Sequence, residues 1–511
     1  MVNLIRKNPT ASCLCLLLVF SLWKVINTNA GIVSLEPDEA NHIEVVRSLR
    51  ESFIPRYFGI PFFYGPPLFM YLSLLVSFFT RDDFLSVRLV SLLMATLTSV
   101  VIFFYLREKV NTIVGLIGGA FYSLAPLIVF YSRVGLIETT LGFFSFLFFY
   151  LYEKAINQKR YSLFLLAGVT LGLALLTKLT ALVLFLIPGL YILLKLIMVF
   201  RKKEPLDAHV FLGTILTGLI AGSIVLPILS FYYFSESVFF KEQVKYILSY
   251  GPKAVSLGEI VLGSEKFVRM YSWGTLLFLP FGLVSVAKNK KFLLFNLSFL
   301  SLLFVLLRNP LSVETLRYYV FFTPFLSIPL AVGVWHALRF VRYRPLMLVI
   351  FISLLLPFSA KAFLGSTHSA IKDTALYLKE TAQDKWIYYN YWPTTFVVYT
   401  ANFKGTWLSG NKFDTAAFAG GVGSKFEKID QPSLATLKSD GGIVVLRDPF
   451  IFGEKFGRKA LGEIISQKSV KLAEFTDTTA YYPHLLAGER FSVYQVTPND
   501  LEGVNETDYV E

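Results

Sequence analysis

Two cysteines in 511 residues are too few for a disulfide framework or a cysteine-ligated zinc site. Both, Cys13 and Cys15, fall inside the first apolar run, where cysteine behaves as a small hydrophobe. Charge is also scarce. Only 16% of residues are Asp, Glu, Lys or Arg, while 55% are hydrophobic and 50 are Phe, a balance that exceeds soluble norms. The chain therefore reads as a polytopic α-helical membrane protein. No internal repeat of solenoid length is visible. Acids are outnumbered 35 to 48, and a formal net charge of +13 in a soluble chain would suggest nucleic acid. Here the Lys and Arg lie in short clusters between apolar runs, so they act as topology determinants, and no nucleic-acid partner is expected.

Runs long enough to cross a core of about 30 Å cover about residues 9–27, 84–106, 112–131, 139–153, 161–177, 180–200, 209–229, 271–287, 292–307, 319–338 and 345–360. Residues 67–80 are ambiguous, being apolar but short and following Pro66. Charge decides their reading. If they do not span, the clusters around Arg6, Arg107, Lys159, Lys202, Lys290 and Arg342 share one face, which the positive-inside rule makes cytosolic. If they do span, every cluster after the first flips outside. Residues 67–80 are thus expected as an interfacial or re-entrant helix within an external loop of residues 28–83, giving about eleven spans and a cytosolic N-terminus. A cleaved signal peptide ending near Ala30 is the rival reading, and it leaves Asp38 on the same side.

Beyond Pro357 the apolar runs stop, so residues 1–360 are expected as the membrane domain and 361–511 as a soluble extracytoplasmic α/β domain. Ile371, Ala375 and Leu378 make a helical stripe; residues 386–389, 442–446 and 491–496 read as strands, with a helix over 457–465. The acidic tail 499–511 is expected to be disordered and carries the glycosylation-type triplet Asn505-Glu506-Thr507. The long external loop of residues 230–270 is a candidate lid over an acceptor, or an amphipathic helix resting on the membrane.

Three carboxylates, Glu36, Asp38 and Glu39, follow the first span directly, with His42 one turn on. Acids beside lipid are costly and mark functional sites by default, although Pro37 with Asp38 and Glu39 is also a plain helix start. Other external polar groups gather on the same side: Tyr64 ahead of Pro66-Pro67-Leu68, Ser132-Arg133 with Glu138 five residues on, Lys178, and Arg317-Tyr318. The bland account pairs Arg133 with Glu138, lets Lys178 and Arg317 snorkel, and makes His42 a hydrogen-bonded surface residue. No metal-ligand cluster stands out, and no cofactor is expected.

Taken together, the acid pair after the first span, the Pro-Pro-Leu helix start, the Ser-Arg followed by an acid and the external C-terminal domain resemble the GT-C glycosyltransferases. The nearest branch is that of the protein O-mannosyltransferases and the lipid A aminoarabinose transferase. The resemblance covers roughly residues 9–360 and rests on order and topology more than on one motif. It implies that Asp38 is the catalytic acid, with Glu39 beside it, and that Arg133 holds the lipid phosphate. Relatives carry His or Lys before Pro-Pro-Leu where this chain has Gly65, so Lys178 or Arg317 would supply that cation. His42, Tyr64, Glu138 and Tyr318 complete the candidate set.

The chemistry asks for these groups independently. Moving a sugar from a polyprenyl phosphate to a hydroxyl needs a carboxylate to take the hydroxyl proton and cations to stabilise the departing phosphate. Single displacement inverts the anomeric carbon. The expected partners are a polyprenyl (dolichyl or undecaprenyl) phosphate sugar, a protein, glycolipid or polysaccharide acceptor, and the bilayer of the plasma membrane, or of the ER in a eukaryote. A transporter or lipid flippase is the alternative, which would tend to show paired repeats and midplane polar groups. A subunit with decayed catalytic residues is a third reading.

Overall fold

The computed structural model describes residues 9–26, 37–57, 60–63, 67–201, 207–238, 276–307, 317–340, 370–382, 385–390, 405–407, 434–448, 459–476 and 490–504, with a few single residues between them. Packing divides the chain into two compact units, each discontinuous in sequence. The first comprises residues 1–26, 65–235 and 251–364; the second comprises 27–64, 236–250 and 365–511.

The helices of the first unit begin with α1 (Pro9–Leu22), and those of the second with α2 (Pro37–Ser48). The first unit then continues through α3 (Leu68–Thr80), α4 (Asp83–Lys109), α5 (Thr112–Leu124) and α6 (Pro126–Tyr131). Next come α7 (Glu138–Gln158), α8 (Tyr161–Thr177), α9 (Leu186–Phe200) and α10 (Ala208–Ser235). Its last described helices are α11 (Leu279–Lys288), α12 (Leu293–Leu307) and α13 (Thr323–Phe340). Polar caps set the tight turns. Arg81, at φ 55°, closes α3, and Asp82 accepts from the Leu85 amide at 3.2 Å to start α4. Asn111 does the same for α5 through the Val114 amide at 3.0 Å.

Among the described residues, three helical stretches are long and apolar enough to cross a membrane: Asp83–Lys109, Leu179–Phe200 and Ala208–Ser235. Two of the expected runs are interrupted by turns. Pro126, which cannot donate an amide, splits the 112–131 run into α5 and α6; the first run ends in a 3-10 turn at Trp23–Val25. At 13 residues, α3 reaches about 20 Å, short of a hydrocarbon core of about 30 Å. Most of the run expected at 345–360 lies outside the described residues. So do residues 251–270 of the proposed lid loop, whose beginning is the continuation of α10 to Ser235.

Two glycine crossings bring backbones close. A methyl group on Gly282 of α11 would stand 1.7 Å from the Pro329 carbonyl oxygen of α13, and one on Gly333 would meet the Phe278 oxygen at 2.1 Å. Between α8 and α10, Gly168 faces Ile220 and Gly213 faces the Phe164 ring. There Thr217 donates across the helices to the Phe164 carbonyl at 3.0 Å. Rings of α4, α7, α12 and α13 knit the interior: Phe149 lies 5.5 Å from Tyr105, 6.0 Å from Phe295 and 5.4 Å from Phe325.

Ion pairs gather several basic clusters at one end of this bundle. Lys109 meets Glu153 at 3.0 Å and donates to the Lys291 carbonyl, Lys154 meets Glu108 at 2.7 Å, and Lys159 meets Asp207 at 2.8 Å. The opposite end carries the start of α7 and the end of α8.

In the second unit, α2 packs on a two-stranded ribbon, β1 (Arg56–Tyr57) against β2 (Ile60–Pro61). Arg56 reaches Glu236 at 3.2 Å and Phe63 meets Phe240 edge-on. The remainder is a five-stranded sheet of β3 (Ile387–Tyr389), β4 (Gly405–Trp407), β5 (Gly442–Asp448), β6 (Val470–Thr476) and β7 (Arg490–Val496). Its order is β4-β3-β5-β7-β6, with the first three strands parallel and β7 antiparallel to both neighbours. Alternation along the strands decides which helix covers which face. Ile387, Tyr389, Ile443 and Val445 pack with Ile371, Ala375 and Leu378 of α14 (Ala370–Thr381). Tyr388, Val444 and Leu446 pack with Leu437 of α15 (Leu434–Asp440) and Leu461 and Ile465 of α16 (Lys459–Lys468).

Gly282→Ala should lower the melting temperature of the detergent-solubilised protein by several degrees, a cost of about 2 kcal/mol or more. Gly189→Ala, where nothing lies within 4 Å, should instead be neutral or slightly stabilising, since alanine is the better helix former. Equal melting of the two variants would contradict the close α11/α13 crossing.

Candidate functional site

The sequence candidates fall into two constellations, one in each unit. In the second unit, α2 opens with Pro37, so Asp38 and Glu39 occupy its first turn, where the helix dipole favours acids. Glu39 is fully buried and His42 nearly so, while Asp38 is partly exposed. Asp38 and Glu39 precede His42 by four and three residues, spacings that put all three on adjoining faces of one helix. Asn41 is buried with its side-chain oxygen unbonded among the described residues. Tyr64, with Gly65 and Pro66, lies outside the described residues.

In the first unit, Glu138 is the first residue of α7, Lys178 follows the last residue of α8, and Arg317 lies in the turn before α13. These placements suit their charges, an acid at a helix N-terminus and a base at a C-terminus. Glu138 Oε1 receives Lys178 Nζ at 2.8 Å and lies 3.9 Å from Arg317 Nε. Both cations stand over the Tyr318 ring, Lys178 at 4.6 Å and Arg317 at 5.6 Å from its centroid. Two cations thus share one buried carboxylate. The other oxygen, Glu138 Oε2, and the buried hydroxyls of Thr139 and Thr140 beside it have no hydrogen-bond partner among the described residues. Burial alone would push the Lys178 ammonium down, but the Glu138 charge, then Tyr318 and the hydrogen bond it donates to Glu138, carry it above its ordinary value.

Arg133 is differently placed. Its guanidinium is fully buried, donates from Nη1 to the Phe363 carbonyl at 2.7 Å and from Nη2 to the Ile26 carbonyl at 3.1 Å, and lies 3.8 Å from the Phe363 ring centroid. Burial, and secondarily the Arg88 charge, draw its pKa down to about 10, which leaves it cationic at neutral pH. Glu138 makes its ion pairs with Lys178 and Arg317, so the simple Arg133–Glu138 partnership read from their spacing is replaced by a three-residue cluster.

Sequence reasoning passed over Lys24 and Arg88, both fully buried and both within electrostatic reach of Arg133. Lys24 Nζ has no hydrogen-bond partner among the described residues. The available signal was a single cation inside an apolar run, which is expensive wherever it is not functional or paired. Among the described residues no group of three or more His, Cys, Asp or Glu stands together as a metal site.

The dolichyl-phosphate-mannose-protein mannosyltransferase family matches residues 64–231. No curated protein sequence matches the chain. The crystal structure of apo ArnT from Cupriavidus metallidurans superposes with a TM-score of 0.66 at 13% identity, covering 96% of this chain and 99% of ArnT. The fold is that of the GT-C superfamily. The same ArnT bound to undecaprenyl phosphate gives 0.63 at 13% identity over 94% of this chain and 97% of the other. The oligosaccharyltransferase AglB from Archaeoglobus fulgidus, in complex with an inhibitory peptide and a dolichol-phosphate, gives 0.59 at 12% identity over 98% and 75%. The GT-C resemblance read from residue order therefore holds at the level of the whole fold.

Because Glu138 neutralises two cations in a largely buried place, Glu138→Ala should destabilise the protein by about 3 kcal/mol. Lys178→Ala should cost less, since Arg317 still faces the carboxylate. Thermal melting of the two variants in detergent checks this order, and a larger loss from Lys178→Ala would refute it.

Proposed function

We propose that this chain is an integral-membrane glycosyltransferase that moves a sugar from a polyprenyl phosphate donor to an acceptor hydroxyl on the extracytoplasmic side, with inversion. The observation that carries this reading is the cluster of Lys178 and Arg317 on Glu138, beside the Thr139 and Thr140 hydroxyls that have no hydrogen-bond partner among the described residues, in a GT-C fold. Support also comes from the structural neighbours captured with undecaprenyl phosphate and dolichol-phosphate.

Lys178 and Arg317 hold the donor phosphate in this reading. Each is partly exposed, and each interacts with the face of Tyr318, which fixes its direction. The guanidinium offers a planar fork to phosphate oxygens and the ammonium a compact charge. As the glycosidic bond breaks, the departing phosphate gains charge that these cations stabilise. Arg133, whose two Nη groups already serve backbone carbonyls, is the weaker phosphate candidate. Asp38, the more exposed acid of α2, takes the acceptor proton as general base, and the buried Glu39 orients it or the acceptor. His42, one turn along, is placed to hydrogen-bond the acids. The acceptor is a protein, glycolipid or polysaccharide hydroxyl, the peptide-bound AglB neighbour favouring the first. On this reading the end of the bundle carrying Lys109, Lys154 and Lys159 is cytosolic.

Asp38→Asn should lower transfer by about 10² or more while leaving the donor lipid bound, and Glu39→Gln should cost less. Near-full activity in Asp38→Asn would remove Asp38 as base. Lys178→Met with Arg317→Met should raise the KM for a polyprenyl phosphate sugar steeply. Because the folded pKa of Lys178 lies above its unfolded value of 10.5, the ammonium is fully present below that value and is lost only as pH rises through the folded one. Affinity for undecaprenyl phosphate should therefore show no loss attributable to Lys178 between about pH 6 and about pH 9. A Lys178-dependent step inside that window would contradict the geometry.

A further inference from the structure

The two carbonyls held by Arg133 sit at particular places in the chain. Ile26 is the last residue of the first unit before the chain passes into the second, and Phe363 lies one residue before the other such passage at Leu364. One guanidinium therefore holds the chain at the exit towards residues 27–64, which carry Asp38 and Glu39, and at the exit towards residues 365–511. Phe363 also stacks on Trp23, with ring centroids 4.8 Å apart, and the Ile26 amide donates to the Trp23 carbonyl. Trp23 and Arg133 thus both pack on the Phe363 ring, a contact that joins both exits to the loop between α6 and α7.

We infer that Arg133 is a positioning residue that clamps both exits, and that this accounts for an arginine at this place. A backbone carbonyl in a dry site must find a donor. A planar fork donates from two separate nitrogens to two carbonyls while its face rests on a ring. A lysine ammonium has three donors, but they radiate from one nitrogen and it has no planar face to rest on a ring. The surroundings favour full occupation of the fork, because Lys24 and Arg88 raise the cost of a poorly solvated cation next to them. Arg133 itself is held firmly, since its amide donates to Phe130 and that of Ser132 to Ile128. The clamp deepens the glycosyltransferase reading, on which its catalytic consequence rests: misplacing the segment that bears the proposed base costs turnover more than donor affinity.

The test compares the wild type with Arg133→Lys, Arg133→Met and Trp23→Leu in lipid nanodiscs. Three quantities are read: hydrogen exchange in peptides covering residues 20–30 and 358–368, affinity for undecaprenyl phosphate, and kcat and KM with a polyprenyl phosphate sugar that the wild type turns over. Arg133→Lys, which keeps the charge and loses the fork, should raise exchange in both peptides together. Exchange in α10 should stay unchanged, undecaprenyl phosphate affinity should stay within about twofold, and kcat should fall by about tenfold or more. Trp23→Leu should raise exchange in the same two peptides to a smaller degree, so the clamp remains testable if Arg133→Met fails to accumulate. Unchanged exchange, a rise in only one peptide, or a rise throughout the protein overturns the clamp. A tenfold loss of undecaprenyl phosphate affinity with unchanged exchange overturns it in favour of a phosphate ligand. If the wild type turns over no such sugar, the proposed function fails, and the exchange and affinity measurements still decide the clamp.

Discussion

A carboxylate buried at the head of a helix is tolerable only if cations come to it, and Glu138 draws them from distant parts of the chain. Lys178 arrives from 40 residues along the sequence and Arg317 from much further. Their meeting fixes the start of α7, the end of α8 and the approach to α13 at one end of the bundle. At the opposite end the buried carboxylate is Glu153, which takes Lys109, while the more exposed Glu108 and Asp207 take Lys154 and Lys159. Between the two charged ends the packing is made from rings and glycine crossings, because lipid tails offer no hydrophobic drive for helices to associate and close backbone contact must supply it.

Much of the element list was legible because hydropathy and period report on burial directly. Runs of apolar residues marked nearly every helix of the first unit. In the second, the stripe Ile371, Ala375 and Leu378 marked α14, and the alternation in residues 442–446 and 491–496 marked β5 and β7. What escaped was set by tertiary context. The edge strand β6, Val-Lys-Leu-Ala-Glu-Phe-Thr, breaks its alternation at Leu472-Ala473, where its pairing with β7 shifts register, so the period of two is lost along the segment. The break at Pro126 was visible as a residue and unread as a boundary.

For the candidate site, charge scarcity was the useful signal. In a chain so poor in ionisable groups, those outside the basic clusters are few, and Glu138, Lys178, Arg317 and Tyr318 were singled out one by one before the fold joined them. Sequence spacing suggested the wrong partner for Glu138, since Arg133 is nearer along the chain while Lys178 is nearer in space. Lys24 and Arg88 went unremarked because each is a single charge embedded in an apolar run, and a hydropathy average absorbs it. The carbonyls that Arg133 holds have no sequence signature at all: any residue supplies a carbonyl.

The second unit is assembled from three stretches, residues 27–64, 236–250 and 365–511. Translation therefore makes α2 early and the greater part of its own unit last. At a synthesis rate of roughly 5–20 residues per second, α2 waits on the order of half a minute or more for residues 365–511 to be completed. During that interval the nascent chain already contains Asp38 and Glu39, but the unit that houses them does not exist. A ribosome that stalls before residue 365 leaves the first unit without the greater part of the second.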